Sequence, residues 1–367
     1  MKKHRIHLVM AARPNMMKIA PLYHALLHTD FAEPILVHTG QHYDDVMSGS
    51  FLRTFGLPDP HYHLNIGSGS HGEQTGKTIM AYEALCQRDR PDFTLVVGDV
   101  NATIACALAA KKMGIPVGHM EAGLRSFDSF MPEEINRLAT DSIADWLWTP
   151  SFDATENVRR ENKDPARIRE VGNVMIDAFC MVQEAITQDR THTQFHGEHE
   201  PYGVITFHRP LNVDHKDTLM QMITMVENVT KHLKMVFPLH PRTKKNMEHF
   251  EVYDRLRACS NLHVCDPLPY VPFMNLVSHA TCVLTDSGGV QEETTYLGIP
   301  CLTLRSSTER PITVTHGTNT LVTLDTVLPT LTHLLESPQK ERPIIPLWDG
   351  KAAHRTVMHL KDILSKG

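Results

Sequence analysis

The chain lacks several features that would each set a class. No apolar run approaches the ~18 residues that a membrane-spanning helix needs; the longest, Ala102–Ala110, lies inside a stretch with a helical pattern. The seven cysteines (86, 106, 180, 259, 265, 282 and 301) form no CxxC pair, and their number is odd. This excludes a disulfide scaffold and points to small core residues in a reducing compartment. A basic excess is also missing, since 36 Lys and Arg stand against 42 Asp and Glu for a formal charge of −6. That balance argues against a dedicated nucleic-acid binder, although a local basic pocket for a phosphorylated small molecule is compatible with it. The glycine-rich junction at Ser287-Gly288-Gly289 is neither GxGxxG nor a Walker loop, so it implies neither NAD nor ATP hydrolysis. The opening MKKHRIHLVMAARPN is basic and then apolar, but Arg13-Pro14 cuts the run and no small-residue cleavage site follows. It reads as a first strand rather than a signal peptide. The expectation is a cytoplasmic protein with no membrane or nucleic-acid partner.

What is present is an alternation of strand-like and helix-like segments. With 367 residues the length suggests two domains. Ile6–Ala11, Pro34–His38, Thr94–Gly98 and Pro116–Met120 read as strands. Lys18–Leu27, Ala102–Met113 and Glu133–Trp146 read as helices, the last with apolar residues at 135, 138, 143 and 147. The pattern restarts with strands at Gly203–Thr206, Lys234–Pro238, His263–Cys265, Cys282–Thr285 and Pro300–Thr303, and helices at Thr218–His232 and Gln291–Leu297. Such alternation predicts βαβ units and parallel sheets covered on both faces. Asp153–Arg169 is charged and helix-prone, and the polar stretch Thr187–Pro201 places a domain boundary near 170–200. The fold class is therefore α/β with two doubly wound domains. Ligands of such sheets bind beyond the carboxyl ends of the strands.

Polar residues cluster at those ends. Arg13 and Lys18 stand five residues apart at a helix start, where free N–H groups also favour an anion. Asp99 ends the strand TLVVG, and Glu121 follows Pro116–Met120. Glu133 begins a helix, and Arg137 is its i+4 neighbour on one face. Carboxylates that converge in this way can acquire separated pKa values and serve as acid and base. Read blandly, Asp99 is an N-cap and the Glu133–Arg137 pair a surface contact worth about 0–1 kcal/mol. His208 and His240 each follow a strand, in TFHRP and PLHPR. The sharpest signal is LTDSGGVQEE, in which a strand runs through Ser287, Gly288 and Gly289 into a helix carrying Glu293. Glycines there let backbone N–H groups approach an anion, and Glu293 is placed for ribose hydroxyls. Arg310, after the next strand, adds a cation to the same rim.

Taken in order, ARPNMMKIAPL, TGQH, VVGDVNAT, GHMEAGLRS, MPEEINR, VGNVMID, TFHRP, PLHPR, LTDSGGVQEE and SSTERPITVTHGT run from residue 11 to about 318. This series resembles the non-hydrolysing UDP-N-acetylglucosamine 2-epimerase family. The resemblance implies the glycosyltransferase-B architecture, two Rossmann-like domains with a cleft between them. Residues 1–172 would form the first, with a helix at 350–367 packing back on it, and 173–349 the UDP-binding second. It implies interconversion of UDP-N-acetylglucosamine and UDP-N-acetylmannosamine, with no cofactor and no metal. UDP would leave to give a 2-acetamidoglycal and then add back. Carried over residue by residue, Asp99, Glu121, Glu133 and His208 would be catalytic. Arg13, Lys18, Arg137, His240, Ser287, Gly288, Gly289, Glu293 and Arg310 would bind the UDP-sugar. A homodimer is expected. Alternative readings are an epimerase of a UDP-2,3-diacetamido uronic acid, or a hydrolysing 2-epimerase releasing N-acetylmannosamine. One departure concerns regulation: Tyr43-Asp44-Asp45 follows Gln41-His42, and no Arg lies between Thr54 and Cys86. Activation by a second substrate molecule is therefore not expected.

Overall fold

A computed structural model describes residues 3–11, 13–40, 45–195, 200–337 and 341–365; for Arg13, Pro14, 45–48 and Ser50 only the backbone is described. The chain divides into two compact units, Met1–Val182 with Pro346–Gly367, and Gln183–Ile345.

The first unit holds seven parallel strands: β1 (His4–Met10), β2 (Ala32–His38), β3 (Tyr62–His63), β4 (Phe93–Val97), β5 (Val117–Met120), β6 (Trp146–Thr149) and β7 (Ile168–Glu170). Their order is β3-β2-β1-β4-β5-β6-β7. β1 and β4 are buried almost throughout, as apolar strands covered by helices on both faces must be. The order reverses between β1 and β4, where the register pairs Ile6 with Phe93 and Leu8 with Leu95. Connections leave this switch point in opposite directions, which opens a crevice at the strands' carboxyl ends.

The second unit repeats the plan with six parallel strands: β8 (Tyr202–Thr206), β9 (Lys234–Pro238), β10 (Leu262–Cys265), β11 (Cys282–Thr285), β12 (Cys301–Leu304) and β13 (Asn319–Val322). The order is β10-β9-β8-β11-β12-β13, so its switch point lies between β8 and β11. There Thr206 and Thr285 are register partners, and their hydroxyls meet at 2.6 Å.

Two segments differ from the sequence reading. The helix expected over Glu133–Trp146 ends at Ile143, and Trp146–Thr149 is β6. The Pro132–Ile143 helix also turns the opposite way round from an ordinary amphipathic one. It buries Glu134, Arg137, Thr140 and Asp141, while Ile135 is 56% and Leu138 43% exposed. Charged residues at i, i+3 and i+7 form one stripe on a helix. Here that stripe takes the inward face because buried partners of opposite charge await it.

The closing helix, Ala352–Ser365, belongs to the first unit. Asp177, in the Val174–Met181 helix, accepts hydrogen bonds from the Ala352 and Ala353 N–H groups at 3.0 and 2.7 Å. This is an N-cap supplied from another helix, satisfying two of the free donors at the helix start. Burial raises the Asp177 carboxyl to about 6 in spite of these bonds.

Candidate active site

In the first unit the polar residues gather at the β1–β4 switch point. Lys18, 6% exposed, donates to Glu121, 2% exposed. The other Glu121 oxygen, Oε1, is buried and has no hydrogen-bond partner among the described residues. An unpaired acceptor of this kind is costly to bury and is found chiefly where a ligand or proton completes it. Glu121 itself sits at φ +70, strained backbone for a residue with a Cβ. Gly98 makes the room. It turns at φ +66, and a Cβ there would stand 3.2 Å from Lys18 Nζ and 3.4 Å from Glu121 Oε2. Asn15 closes the same corner by donating to the Val97 carbonyl at 3.0 Å.

Asp99 follows directly. One of its oxygens receives Arg137, and its backbone carbonyl receives Asn136 Nδ2 at 2.9 Å. Arg137 does not pair with Glu133, which is exposed. It pairs with Glu134 instead, through Nε at 2.9 Å and Nη2 at 2.6 Å. Glu134 also accepts from the Ser126 and Phe127 N–H groups at 2.9 and 3.0 Å. Burial raises the Glu134 carboxyl, but these donors outweigh it and hold the group below its ordinary value. The Arg13 side chain lies outside the described residues, as do Gln41 and His42 of TGQH.

In the second unit the corresponding switch point carries His208 and Asp286. Asp286 is fully buried. Its oxygens accept from His208 N at 3.1 Å, Arg209 N at 2.9 Å and Asn212 Nδ2 at 3.0 Å, and its Oδ1 lies 3.1 Å from His208 Nδ1. Burial raises its carboxyl, but these donors win and lower it. The His208 ring remains partly open to solvent, 5.4 Å from that of His240, which caps the Pro241–His249 helix through Arg242 N.

Ser287 precedes the Gly288–Leu297 helix, whose first residues are Gly288 and Gly289. A Cβ at Gly288 would fall 2.6 Å from Glu309 Oε1 and 2.9 Å from Arg310 Nη1, so only glycine lets the loops approach. Arg310 binds Glu309, and its Nε lies 2.8 Å from Glu292 Oε2. Arg305 Nη2 adds a further contact to Glu309 at 2.8 Å. Burial raises the Glu309 carboxyl, yet the guanidinium groups of Arg310, Arg305 and Arg209 drive it far below its ordinary value. Glu293 is the opposite case. Burial, helped by neighbouring Glu292, raises it to about 8, although Tyr270 Oη donates to it at 2.8 Å.

The structure thus brings Lys18, Gly98, Asp99, Glu121 and Arg137 together in one unit. In the other it groups His208 with His240, and Ser287, Gly288 and Arg310 at one helix start. The sequence reading missed Glu134, Asp141, Asp286, Arg305 and Glu309 as partners. The one signal available for the first two was the 134–137–141 charged stripe.

Two doubly wound units define an α/β enzyme, one with carboxylates poised against cations and one with a glycine-lined helix start beside guanidinium groups. Residues 24–361 match the family of UDP-N-acetylglucosamine 2-epimerase. A Methanocaldococcus jannaschii protein named UDP-N-acetylglucosamine 2-epimerase is 40% identical over 323 residues, 87% of this chain and 88% of that one. A Pseudomonas aeruginosa UDP-2,3-diacetamido-2,3-dideoxy-D-glucuronate 2-epimerase is 38% identical over 322 residues, again 87% and 88% of the two chains. A crystal structure of the Methanocaldococcus jannaschii UDP-GlcNAc 2-epimerase with UDP-GlcNAc and UDP aligns with a TM-score of 0.90 and 37% identity, covering 99% of this chain and all of that one. The chain belongs to the UDP-N-acetylglucosamine 2-epimerase family.

Proposed function

We propose that the protein interconverts UDP-N-acetylglucosamine and UDP-N-acetylmannosamine. The reaction removes the proton on carbon 2 while the carbon 1–oxygen bond breaks and UDP leaves with the bonding pair. The 2-acetamidoglycal then takes UDP back at carbon 1 and a proton on the other face of carbon 2. Such chemistry needs acid–base groups at the sugar and fixed positive charge at the diphosphate. Asp99, Glu121, Glu133 and His208 serve the first need. Ser287, Gly288, Gly289, His240 and Arg310 serve the second, with Glu293 on the ribose and Arg13, Lys18 and Arg137 completing the set that binds the UDP-sugar.

The observation that carries this reading is Glu121: a buried carboxylate beside Lys18, with one oxygen that has no partner among the described residues. The test is incubation with UDP-N-acetylglucosamine in deuterated water, followed by NMR. Deuterium at carbon 2 together with UDP-N-acetylmannosamine supports the reading. No exchange at carbon 2 overturns it, and accumulation of free N-acetylmannosamine would make the enzyme a hydrolysing one. A second reading, epimerisation of a UDP-2,3-diacetamido uronic acid, is supported by the Pseudomonas aeruginosa relative, whose identity nearly equals that of the other relative described. The same assay with that sugar decides between them by kcat/KM.

A homodimer is part of the same proposal. Phe127 (77% exposed), Phe130 (93%), Ile135 and Leu138 form an apolar series on and just before the Pro132–Ile143 helix, and such a series calls for cover. Light scattering reports the mass directly; a monomer at micromolar concentration refutes it.

A further inference from the structure

Asp99 and Glu121 lie on different loops, beyond the ends of β4 and β5, and both loops pass through left-handed backbone. Gly98 has φ +66, Glu121 +70 and Gly123 +82. The strand ladder stops at Val97 and Met120; beyond it Gly98 N donates to the Met120 carbonyl and Ala122 N to the Trp148 carbonyl, both at 3.1 Å, but neither bond joins the Gly98 turn to the Gly123 turn. The tie between them is a side chain. His119, within β5, is fully buried and bonded at both ring nitrogens. Nε2 lies 2.8 Å from the Gly98 carbonyl oxygen, and Nδ1 lies 2.6 Å from Asp141 Oδ1. The second Asp141 oxygen accepts from Gly123 N at 3.0 Å and from Arg125 Nη2 at 2.7 Å. Arg125 is itself anchored on Glu161 by two bonds of 2.8 Å.

One chain of contacts therefore runs from the Gly98 turn through His119 and Asp141 to the Gly123 turn. Both ring partners accept, so each ring nitrogen donates. A Gln amide carries both of its N–H donors on one nitrogen, so in place of His119 it cannot set one donor at each of these two sites.

We infer that His119, held by Asp141, is a positioning residue that sets the spacing of Asp99 and Glu121 for proton transfer at carbon 2. This rests on the proposed epimerase reading. A displacement of about 1 Å in a reacting group costs on the order of 100-fold in rate. Binding of UDP, by contrast, uses groups of the other unit, which His119 does not touch.

The test measures kcat, KM and carbon 2 exchange with UDP-N-acetylglucosamine for wild type, His119→Gln, Asp141→Asn, Asp99→Asn and the His119→Gln/Asp99→Asn double variant, with UDP affinity by calorimetry and Tm for each. Expected are a roughly 100-fold fall in kcat for the two positioning variants, KM and UDP affinity within about twofold, and a double variant no slower than Asp99→Asn alone. A kcat within about threefold of wild type in a folded variant overturns the inference, as does an additive double variant. Failure of both His119→Gln and Asp141→Asn to fold also overturns it, because the tie would then serve stability alone. Wild-type exchange is the internal control: its absence would overturn the epimerase reading itself, whereas active wild type with unaffected variants overturns only the role of His119.

Discussion

The two units share one topology and use charge in opposite ways. In the first, nearly every buried cation is matched: Lys18 with Glu121, Arg137 with Asp99 and Glu134, Arg125 with Asp141 and Glu161. In the second, Arg209, Arg305 and Arg310 surround Glu309, with Glu292 a further partner of Arg310, at a helix start that already favours anions. A matched set holds groups in place with little net charge. A cation-rich set stores positive charge that only an incoming anion can balance. The same sheet plan thus carries a matched set in one copy and a cation-rich set in the other, which under the proposed function divide proton transfer from anion binding.

The largest effect that could break this comparison concerns the acidic residues of the first unit. Asp99→Asn, Glu121→Gln and Glu133→Gln should each lower turnover by at least about 100-fold, the usual scale for acid–base groups. UDP affinity should stay within about twofold in all three. Loss of UDP binding in step with turnover would erase the division of labour, and near-normal turnover would remove these residues from the chemistry.

A smaller effect is expected in the second unit. Glu293→Ala should weaken UDP binding by about tenfold in calorimetry, which corresponds to about 1.4 kcal/mol. Unchanged affinity would place the ribose elsewhere.

The smallest effect is on stability, and it separates the units by pH. Asp177 and Glu293 are both raised by burial, to about 6 and about 8, from ordinary values of 3.8 and 4.5. A carboxyl raised in the folded state binds more protons folded than unfolded, so stability falls as pH rises from the unfolded to the folded value. For Asp177 that loss is complete near neutrality. For Glu293 it continues to about pH 8 and flattens above. Between pH 7 and 9 the decline in Tm should therefore be reduced by Glu293→Gln and left unchanged by Asp177→Asn. Equal slopes in wild type and Glu293→Gln would show that Glu293 is already ionised at neutral pH.

Much of the framework was legible in the chain itself. β1, β4, β5, β8 and β11 announced themselves as short apolar runs ending in polar residues, and those ends carry the site. Lys18, Asp99 and Glu121 could be marked from that placement alone. Trp146–Thr149 was absorbed into the preceding helix because its apolar residues continue a helical spacing with no glycine or proline between. β3, with two residues, and β7, with three, are edge strands too short to leave a pattern. The Pro132–Ile143 helix misled for a physical reason. Its apolar stripe, Ile135 and Leu138, faces out, and its charged stripe faces in. Which stripe is buried depends on partners outside the helix, from Ser126, 8 residues from Glu134, to Asp99, 38 residues from Arg137. Asp286, whose partners lie more than 70 residues away, has no local signature, whereas Glu134 and Asp141 show only as the charged stripe.

The first unit is interrupted in sequence, because residues 183–345 intervene between Val182 and Pro346. During synthesis the second unit can therefore finish folding while the first still lacks the segment that carries the Ala352–Ser365 helix. Until that segment leaves the ribosome, Asp177 waits with its carboxylate solvated and no N–H groups to receive. The first unit is thus completed after the second, although most of it is translated first. If the proposed division of roles holds, a chain truncated after Ile345 should hold UDP yet exchange no proton at carbon 2.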